Sequence, residues 1–212
     1  SRAYIPSTIW PSVEKKLIEQ LSTIKVGPPN DFTNFMNAVI DKSAFKSITH
    51  YIDYAKSNGD AEIIFGGEYD DSIGYFIEPT IILTSDPKFK TMTEEIFGPV
   101  LTIYVYKPEN WEETLRLVDT TSDYALTGCI IASEKEVIKE TQSKLKHSAG
   151  NFYINDKPTG AVVGQQPFGG SRRSGTNDKA GSELNLMRWV SVRTIKENLN
   201  PPKDYKYSFL EK

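Results

Sequence analysis

The first sixty residues carry an apolar pattern with the period of an α-helix. Val13, Leu17 and Leu21 recur at every fourth position, which predicts a helix over residues 10–24. A second run with helical spacing predicts a helix over residues 43–56, which a glycine shortly downstream would end. Two amphipathic helices joined by a long connection are therefore expected at the start of the chain.

Shorter apolar runs follow, and their length and composition are typical of β-strands. Strands are predicted over residues 62–65, 75–83, 100–106, 125–132 and 151–154. The third and fourth runs are almost continuously apolar, which favours strands buried on both faces. Helices are predicted between the last three strands, over residues 111–118 and 135–145. This alternation is the signature of right-handed crossovers, so we expect an α/β fold with a mostly parallel twisted sheet flanked by helices.

The end of the chain has a different pattern. Residues 189–195 (WVSVRTI) alternate apolar and polar side chains, as in a strand with one solvated face, and a polar tail follows. We therefore divide the chain into a main domain over residues 1–186 and a C-terminal strand and tail over residues 187–212. Because an edge strand can pair with another copy of the chain, a homo-oligomer formed through this strand is expected.

Composition and charge argue against several classes of function. A net charge of -3 lacks the basic excess that phosphate neutralisation needs, so nucleic acid is not an expected partner. No apolar run approaches the ~20 residues that cross a bilayer, so no membrane partner is expected. The single cysteine, Cys129, excludes an internal disulfide and favours a reducing compartment. His50 and His147 are isolated and no cluster has metal-ligand spacing, so no metal site is expected.

A glycine-rich stretch over residues 160–181 is too long for a simple connector in a compact domain, which favours a functional role. The alternative is a surface loop with Phe168 packed in the core. Within it, residues 164–171 (GQQPFGGS) nearly match a phosphate-binding P-loop, but Gly170 stands where that motif needs its lysine. A P-loop is therefore not favoured.

Two segments carry a resemblance to a known family. Residues 94–100 (EEIFGPV) resemble the motif with which aldehyde dehydrogenases close over the nicotinamide end of NAD. Residues 155–175 (NDKPTGAVVGQQPFGGSRRSG) resemble the segment that ends in the family's Pro-Phe-Gly-Gly element. The sequence of this segment is most similar to that of the glutamate semialdehyde dehydrogenases of proline breakdown. The resemblance covers nearly the whole chain and implies that residues 1–186 are part of the family's catalytic domain.

For the first segment the resemblance implies cofactor binding. Glu95 would hold the nicotinamide ribose of NAD, because one carboxylate can accept hydrogen bonds from two vicinal hydroxyls. Phe97 would form a wall beside the nicotinamide ring, whose position matters because the reacting atoms of a hydride transfer must lie within ~3 to 3.5 Å of each other. The alternative is a solvated carboxylate at a helix end, followed by a Gly-Pro turn.

For the second segment the resemblance implies substrate binding. Glutamate semialdehyde carries an α-carboxylate, an α-ammonium and a short methylene chain, so its pocket needs N–H donors at one end and an apolar wall along the middle. Gly160 allows close backbone approach, and the N–H groups of Gly160 and Ala161 would form a small anion-binding concavity. Phe168 is the expected wall. In this subfamily the position of Ala161 can be a serine, whose hydroxyl is absent here.

The family's catalytic cysteine is expected upstream of Ser1, because residues 1–6 (SRAYIP) resemble the end of the segment that carries it. Cys129 lies in a buried-strand pattern that is typical of a structural thiol. The resemblance thus implies the C-terminal part of an NAD-dependent dehydrogenase that oxidises L-glutamate γ-semialdehyde to L-glutamate, inactive without its nucleophile and cofactor domain. It also implies a mitochondrial matrix location, or a cytoplasmic one in a bacterium. The alternatives are an aldehyde dehydrogenase for another substrate and a non-catalytic assembly module.

Overall fold

The structure is a computed structural model that describes residues 1–176 and 178–210. Its strands are β1 (Arg2–Pro6), β2 (Ala61–Phe65), β3 (Tyr69–Asp70), β4 (Phe76–Ile77), β5 (Thr80–Thr84), β6 (Val100–Tyr106), β7 (Tyr124–Ala125), β8 (Thr127–Ile130), β9 (Asn151–Ile154) and β10 (Ser171–Arg172). Its α-helices are α1 (Trp10–Leu21), α2 (Lys42–Lys56), α3 (Lys90–Thr93), α4 (Trp111–Thr120), α5 (Lys135–Lys144) and α6 (Glu183–Leu186). Short 3-10 helices cover Pro108–Asn110 and Ser208–Leu210.

Four strands form the main sheet, in the order β1-β6-β5-β2. β6 lies inside the sheet and pairs in parallel with β1 on one side and β5 on the other. β2 runs antiparallel to β5 and forms the other edge. The predicted α/β fold with a mostly parallel sheet is therefore confirmed, with one antiparallel edge that makes the sheet mixed.

Helix α2 provides the main apolar face against this sheet. The Asp41 side chain caps its first turn by accepting a 2.7 Å hydrogen bond from the Ala44 N–H. Ile48 and Ile52 on its inner face are completely buried, and they pack in one cluster with Ile82 from the sheet. Each such side chain stabilises the fold by about 1.5 to 3 kcal/mol through burial alone. The helical period that predicted α2 thus also identified the core.

The second half of the chain is built differently from the prediction. The run over residues 125–132 was expected to be one fully buried strand, in the same sheet as β6. Instead, β7 pairs with β10, whereas β8 pairs in parallel with β9 across the α5 crossover. All four β8 residues are half-buried and Ile131 is exposed. For residues 125–132 the prediction of burial on both faces was therefore wrong. An apolar run alone cannot distinguish a fully buried strand from a half-buried one.

Residues 189–195 form no strand in the described part of the chain, although their alternation predicted one. Their apolar side chains face solvent, and Trp189 is 80% exposed. A strand needs a partner to satisfy its backbone groups, and no other described residue pairs with this segment. Pairing with a second copy stays a prediction. None of the helices within residues 1–176 and 178–210 combines the length and apolar character that crossing a bilayer requires.

Candidate functional site

Glu95 and Phe97 lie on the turn between α3 and β6, and both side chains are exposed. Ile96 between them is buried in the core, so its two neighbours face outward. Phe97 has a φ of 60°, in the left-handed region that a bulky residue rarely adopts, and its ring is 87% exposed. Gly98 is needed for close packing, because a β-carbon there would lie 2.6 Å from the Ile48 Cδ1. The core therefore anchors the turn on both sides of Phe97 and displays the ring on the surface.

A cavity of ≈ 360 Å³ opens beside Glu95. Its largely polar lining consists of Tyr51, Thr93, Glu94, Glu95, Ser122, Asp123, Tyr124 and Arg173. The Tyr51 hydroxyl donates to the Glu94 carboxylate at 2.6 Å, and this hydrogen bond raises the pKa of Tyr51 above its ordinary value. The Glu95 carboxylate has no hydrogen-bond or ion-pair partner among the described residues. Of the two adjacent glutamates, Glu95 is therefore the one available to a ligand.

The end of the glycine-rich stretch reaches the same cavity through Arg173. The Arg173 guanidinium lies 3.4 Å from the Asp123 carboxylate and 5.8 Å from the centroid of the Tyr124 ring. The two motifs found in the sequence thus meet at this surface. The three predicted substrate-binding residues, however, do not line this cavity.

Those three residues lie on a loop between β9 and β10. Gly160 adopts a φ of 89°, a conformation that glycine tolerates at low cost. Neither the Gly160 nor the Ala161 N–H has an acceptor among the described residues, so both donors are available. Phe168 is half-buried, and its N–H donates to the Ala180 carbonyl at 3.0 Å in an isolated antiparallel bridge. The loop therefore offers the two N–H groups and the apolar side chain at the predicted positions.

Asn151, which was not predicted as a site residue, holds the Phe168 turn in place. Its Nδ2 donates to the Pro167 carbonyl at 2.9 Å, and its Oδ1 accepts from the Gly169 N–H at 3.1 Å. Both residues that flank Phe168 are thereby tied to the start of β9. The packing is close, because a β-carbon at Gly150 would lie 1.9 Å from the Gly169 carbonyl oxygen. This contact joins residues that are 16 and 18 positions apart, so the sequence carries no local signal for it.

A second clamp fixes the strand that follows the loop. Arg172 in β10 has a φ of 53° and forms an ion pair with Asp119 at the end of α4. The Ser148 hydroxyl donates to the same carboxylate. Partial burial works to raise the pKa of Asp119, but the hydrogen bonds from Ser148 and Arg172 outweigh it and hold that pKa below its ordinary value. This carboxylate therefore stabilises the connection between α4 and the glycine-rich stretch.

Cys129 takes part in a structural contact. It lies in β8, half-buried, and its Sγ donates to the Asp156 carbonyl at 2.7 Å. It is the only cysteine of the chain. Within the ranges 1–176 and 178–210, no three His, Cys, Asp or Glu side chains lie close enough together to hold a metal ion.

Comparison with known proteins identifies the family. The aldehyde dehydrogenase family profile matches residues 1–195. The chain belongs to the aldehyde dehydrogenase family. Over 210 residues it is 58% identical to the mitochondrial delta-1-pyrroline-5-carboxylate dehydrogenase of Dictyostelium discoideum, covering 99% of this chain and 38% of that protein. Over 212 residues it is 48% identical to the human mitochondrial delta-1-pyrroline-5-carboxylate dehydrogenase, covering 100% of this chain and 38% of that protein.

A solved structure gives the same result for the fold. The crystal structure of the delta-pyrroline-5-carboxylate dehydrogenase from Mycobacterium tuberculosis bound with NAD matches with a TM-score of 0.83 and 45% identity, over 99% of this chain and 38% of that one. This aldehyde dehydrogenase chain therefore spans about 38% of the length of the relatives that it matches. The family resemblance read from residues 94–100 and 155–175 is confirmed.

Proposed function

We propose that this chain is part of an NAD-dependent dehydrogenase that oxidises L-glutamate γ-semialdehyde to L-glutamate, and that it contributes half of the wall of the active site. The observation that carries this proposal is the free Glu95 carboxylate beside an open cavity, in a family member whose relatives are named pyrroline-5-carboxylate dehydrogenases. Pyrroline-5-carboxylate is the cyclic form of glutamate semialdehyde, so the two names describe one substrate.

On the cofactor side, Glu95 accepts hydrogen bonds from the two hydroxyls of the nicotinamide ribose. Its carboxylate suits this role because it is exposed and unpaired among the described residues. Phe97 places an exposed aromatic face beside it, held in a left-handed conformation of the kind that concentrates at functional sites. NAD, when bound, supplies the hydride acceptor. The role of these two residues is to position it.

On the substrate side, the N–H groups of Gly160 and Ala161 receive the α-carboxylate, and the Phe168 ring packs against the methylene chain. A carboxylate gains charge-assisted hydrogen bonds from donors that have no competing acceptor. The Asn151 clamp ties the Phe168 turn to the start of β9. A plain aliphatic aldehyde has a methylene chain but no carboxylate, so it contacts only the apolar part of this site.

The rest of the catalytic apparatus is supplied by sequence outside this chain. Because the chain spans about 38% of the length of its relatives, we propose that the cysteine nucleophile, the hydrolytic glutamate and the cofactor domain lie in the part of the complete enzyme outside this chain. We assign Cys129 a structural role, because it is half-buried and its thiol donates to the Asp156 carbonyl. This chain thus binds and orients both reactants and carries out none of the covalent steps.

We also propose a homo-oligomer in the mitochondrial matrix. Residues 187–212 hold the exposed apolar side chains Trp189, Val192 and Ile195, and a strand from this segment would bury them on pairing with a second copy. The location is supported by the names of the Dictyostelium discoideum and human relatives, both of which are called mitochondrial.

Substrate comparison in the complete enzyme tests the proposed activity. NADH formation is measured with glutamate semialdehyde and with pentanal, for the natural protein and for Phe168→Ala. We expect the natural protein to prefer glutamate semialdehyde, with a kcat/KM at least tenfold higher than for pentanal, because a charge-assisted contact contributes about 1.5 to 3 kcal/mol. The Phe168 variant should lose activity toward both substrates. Equal kcat/KM values in the natural protein would contradict the proposal and favour a dehydrogenase of simple aldehydes.

A further inference from the structure

The Lys157 side chain lies directly over Gly160. A β-carbon placed on Gly160 would be 3.2 Å from the Lys157 Cε and 3.4 Å from its Nζ. The ammonium group therefore lies within van der Waals distance of the position that a side chain at residue 160 would occupy. Lys157 is exposed, and its ammonium forms no ion pair with another described residue.

Gly160 and its neighbour Ala161 carry hydrogen-bond donors that are available to a ligand. The N–H groups of Gly160 and Ala161 have no acceptor among the described residues, and the Ala161 side chain contributes no polar atom. The carboxylate of the preceding residue, Asp156, accepts a 2.8 Å hydrogen bond from the Lys157 backbone N–H. Two available N–H groups beside one unpaired ammonium are complementary to a single carboxylate.

We propose that Lys157 is a substrate-binding residue whose ammonium pairs with the α-carboxylate of the aldehyde, and that it determines specificity for aldehydes that carry a carboxylate. The inference rests on the proposed function and adds a residue to that site. An ammonium suits the role because it presents three donors on a flexible stem, so it can follow a carboxylate held by the backbone. An aldehyde without a carboxylate gains nothing from this contact, so a change at Lys157 alters the preference between substrates and leaves the chemical step unchanged.

This arrangement also gives Gly160 a second reason to be glycine. Its φ of 89° already disfavours other residues, and a side chain at this position would push the Lys157 stem away from the loop. Replacing Gly160 therefore disturbs both the backbone donors and the ammonium. Only changes at Lys157 itself separate the two contributions.

The test compares Lys157→Met with Lys157→Arg in the complete enzyme. Methionine keeps an unbranched apolar stem without the charge, whereas arginine keeps the charge. Lys139→Met is the matched control, because Lys139 is an exposed lysine of α5 that forms no ion pair with a described residue. Initial rates of NADH formation are measured with glutamate semialdehyde and with pentanal. Inhibition by the product glutamate provides a readout that does not depend on turnover.

For Lys157→Met we expect kcat/KM for glutamate semialdehyde to fall about tenfold, because KM rises while kcat stays the same. The inhibition constant of glutamate should rise by a similar factor. Values for pentanal should stay unchanged, and Lys157→Arg should recover most of the loss. If the natural enzyme prefers glutamate semialdehyde and Lys157→Met behaves like Lys139→Met, the role of Lys157 is refuted while the proposed function stands. If the natural enzyme shows no such preference, both proposals fail together.

Discussion

The Tyr51 hydroxyl donates a 2.6 Å hydrogen bond to the Glu94 carboxylate. This contact distinguishes two glutamates that are adjacent in sequence and line the same cavity. Glu94 is tied to α2 through Tyr51, whereas Glu95 keeps its carboxylate available. A carboxylate with a structural hydrogen bond and one without a partner among the described residues therefore lie side by side, and the role of Glu95 as a ligand-binding residue stays a prediction.

Gly150 is the tightest steric position under the Phe168 turn. Gly150→Ala should lower the free energy of unfolding by about 2 to 3 kcal/mol, because its methyl group would meet a backbone oxygen that cannot rotate away. Gly59→Ala is the control, since a β-carbon there has nothing within 4 Å and should leave stability unchanged or slightly higher. Chemical denaturation of both variants measures the difference. Equal stabilities would show that the chain relaxes around residue 150.

Asn151 should matter for both stability and substrate binding. Asn151→Ala leaves the Gly169 N–H and the Pro167 carbonyl without their partner, at a cost of about 2 kcal/mol, and it should raise KM for glutamate semialdehyde several-fold. Asn151→Asp keeps the acceptor and loses the donor, so its effect should be intermediate. Asn30→Ala, at an exposed position without a hydrogen bond to a described residue, is the control. A change in stability with KM unaltered would leave Asn151 a purely structural role.

Asp119 should make stability depend on acid pH. Because its folded pKa lies below the ordinary value of 3.8, its stabilisation is complete above that pH and is lost as the pH falls through the folded pKa. Asp119→Asn should cost about 1 kcal/mol at neutral pH, a modest value because the ion pair is partly exposed. The difference in the free energy of unfolding between the natural protein and the variant should disappear in acid. Asp71→Asn is the control. If the difference in the free energy of unfolding does not change with pH, or if Asp71→Asn shows the same difference, the ion pair is not its cause.

The isolated chain should be inactive. Purified residues 1–212 should form no NADH from glutamate semialdehyde, because the only thiol is hydrogen-bonded to the Asp156 carbonyl in the β8 and β9 pair. The complete enzyme, assayed in parallel, is the positive control. Aldehyde-dependent NADH formation by the isolated chain would require a nucleophile among these residues and would overturn this division of roles.

Helical periodicity and strongly apolar runs were enough to predict much of the fold. α1, α2, α4 and α5 were predicted from helical spacing, and β2, β6 and β9 were predicted from short apolar runs. Local patterns could not identify β1, because five residues that end in a proline become a strand only through pairing with β6. They also could not divide residues 125–132 between two sheets, since that division depends on where β9 and β10 lie.

The candidate site shows the same limit. Glu95, Phe97, Gly160, Ala161 and Phe168 could be proposed because they lie within two short motifs. The Asn151 clamp spans 16 residues, and the contact that distinguishes Glu94 from Glu95 spans 43. Such contacts depend on the tertiary fold, and a single sequence carries no direct signal for them. Family membership is shown by the comparison over residues 1–195, whereas the roles of individual residues stay predictions.

The most direct measurement is NAD affinity in the complete enzyme after replacing each glutamate of the cavity in turn. Glu95→Gln should weaken NAD binding by about tenfold or more, because a neutral amide replaces a charged acceptor of two hydrogen bonds. Glu94→Gln should leave NAD affinity nearly unchanged and should shift the pKa of Tyr51 down toward its ordinary value. Equal losses from both variants, or no loss from Glu95→Gln, would contradict the assignment of Glu95 as the ribose ligand.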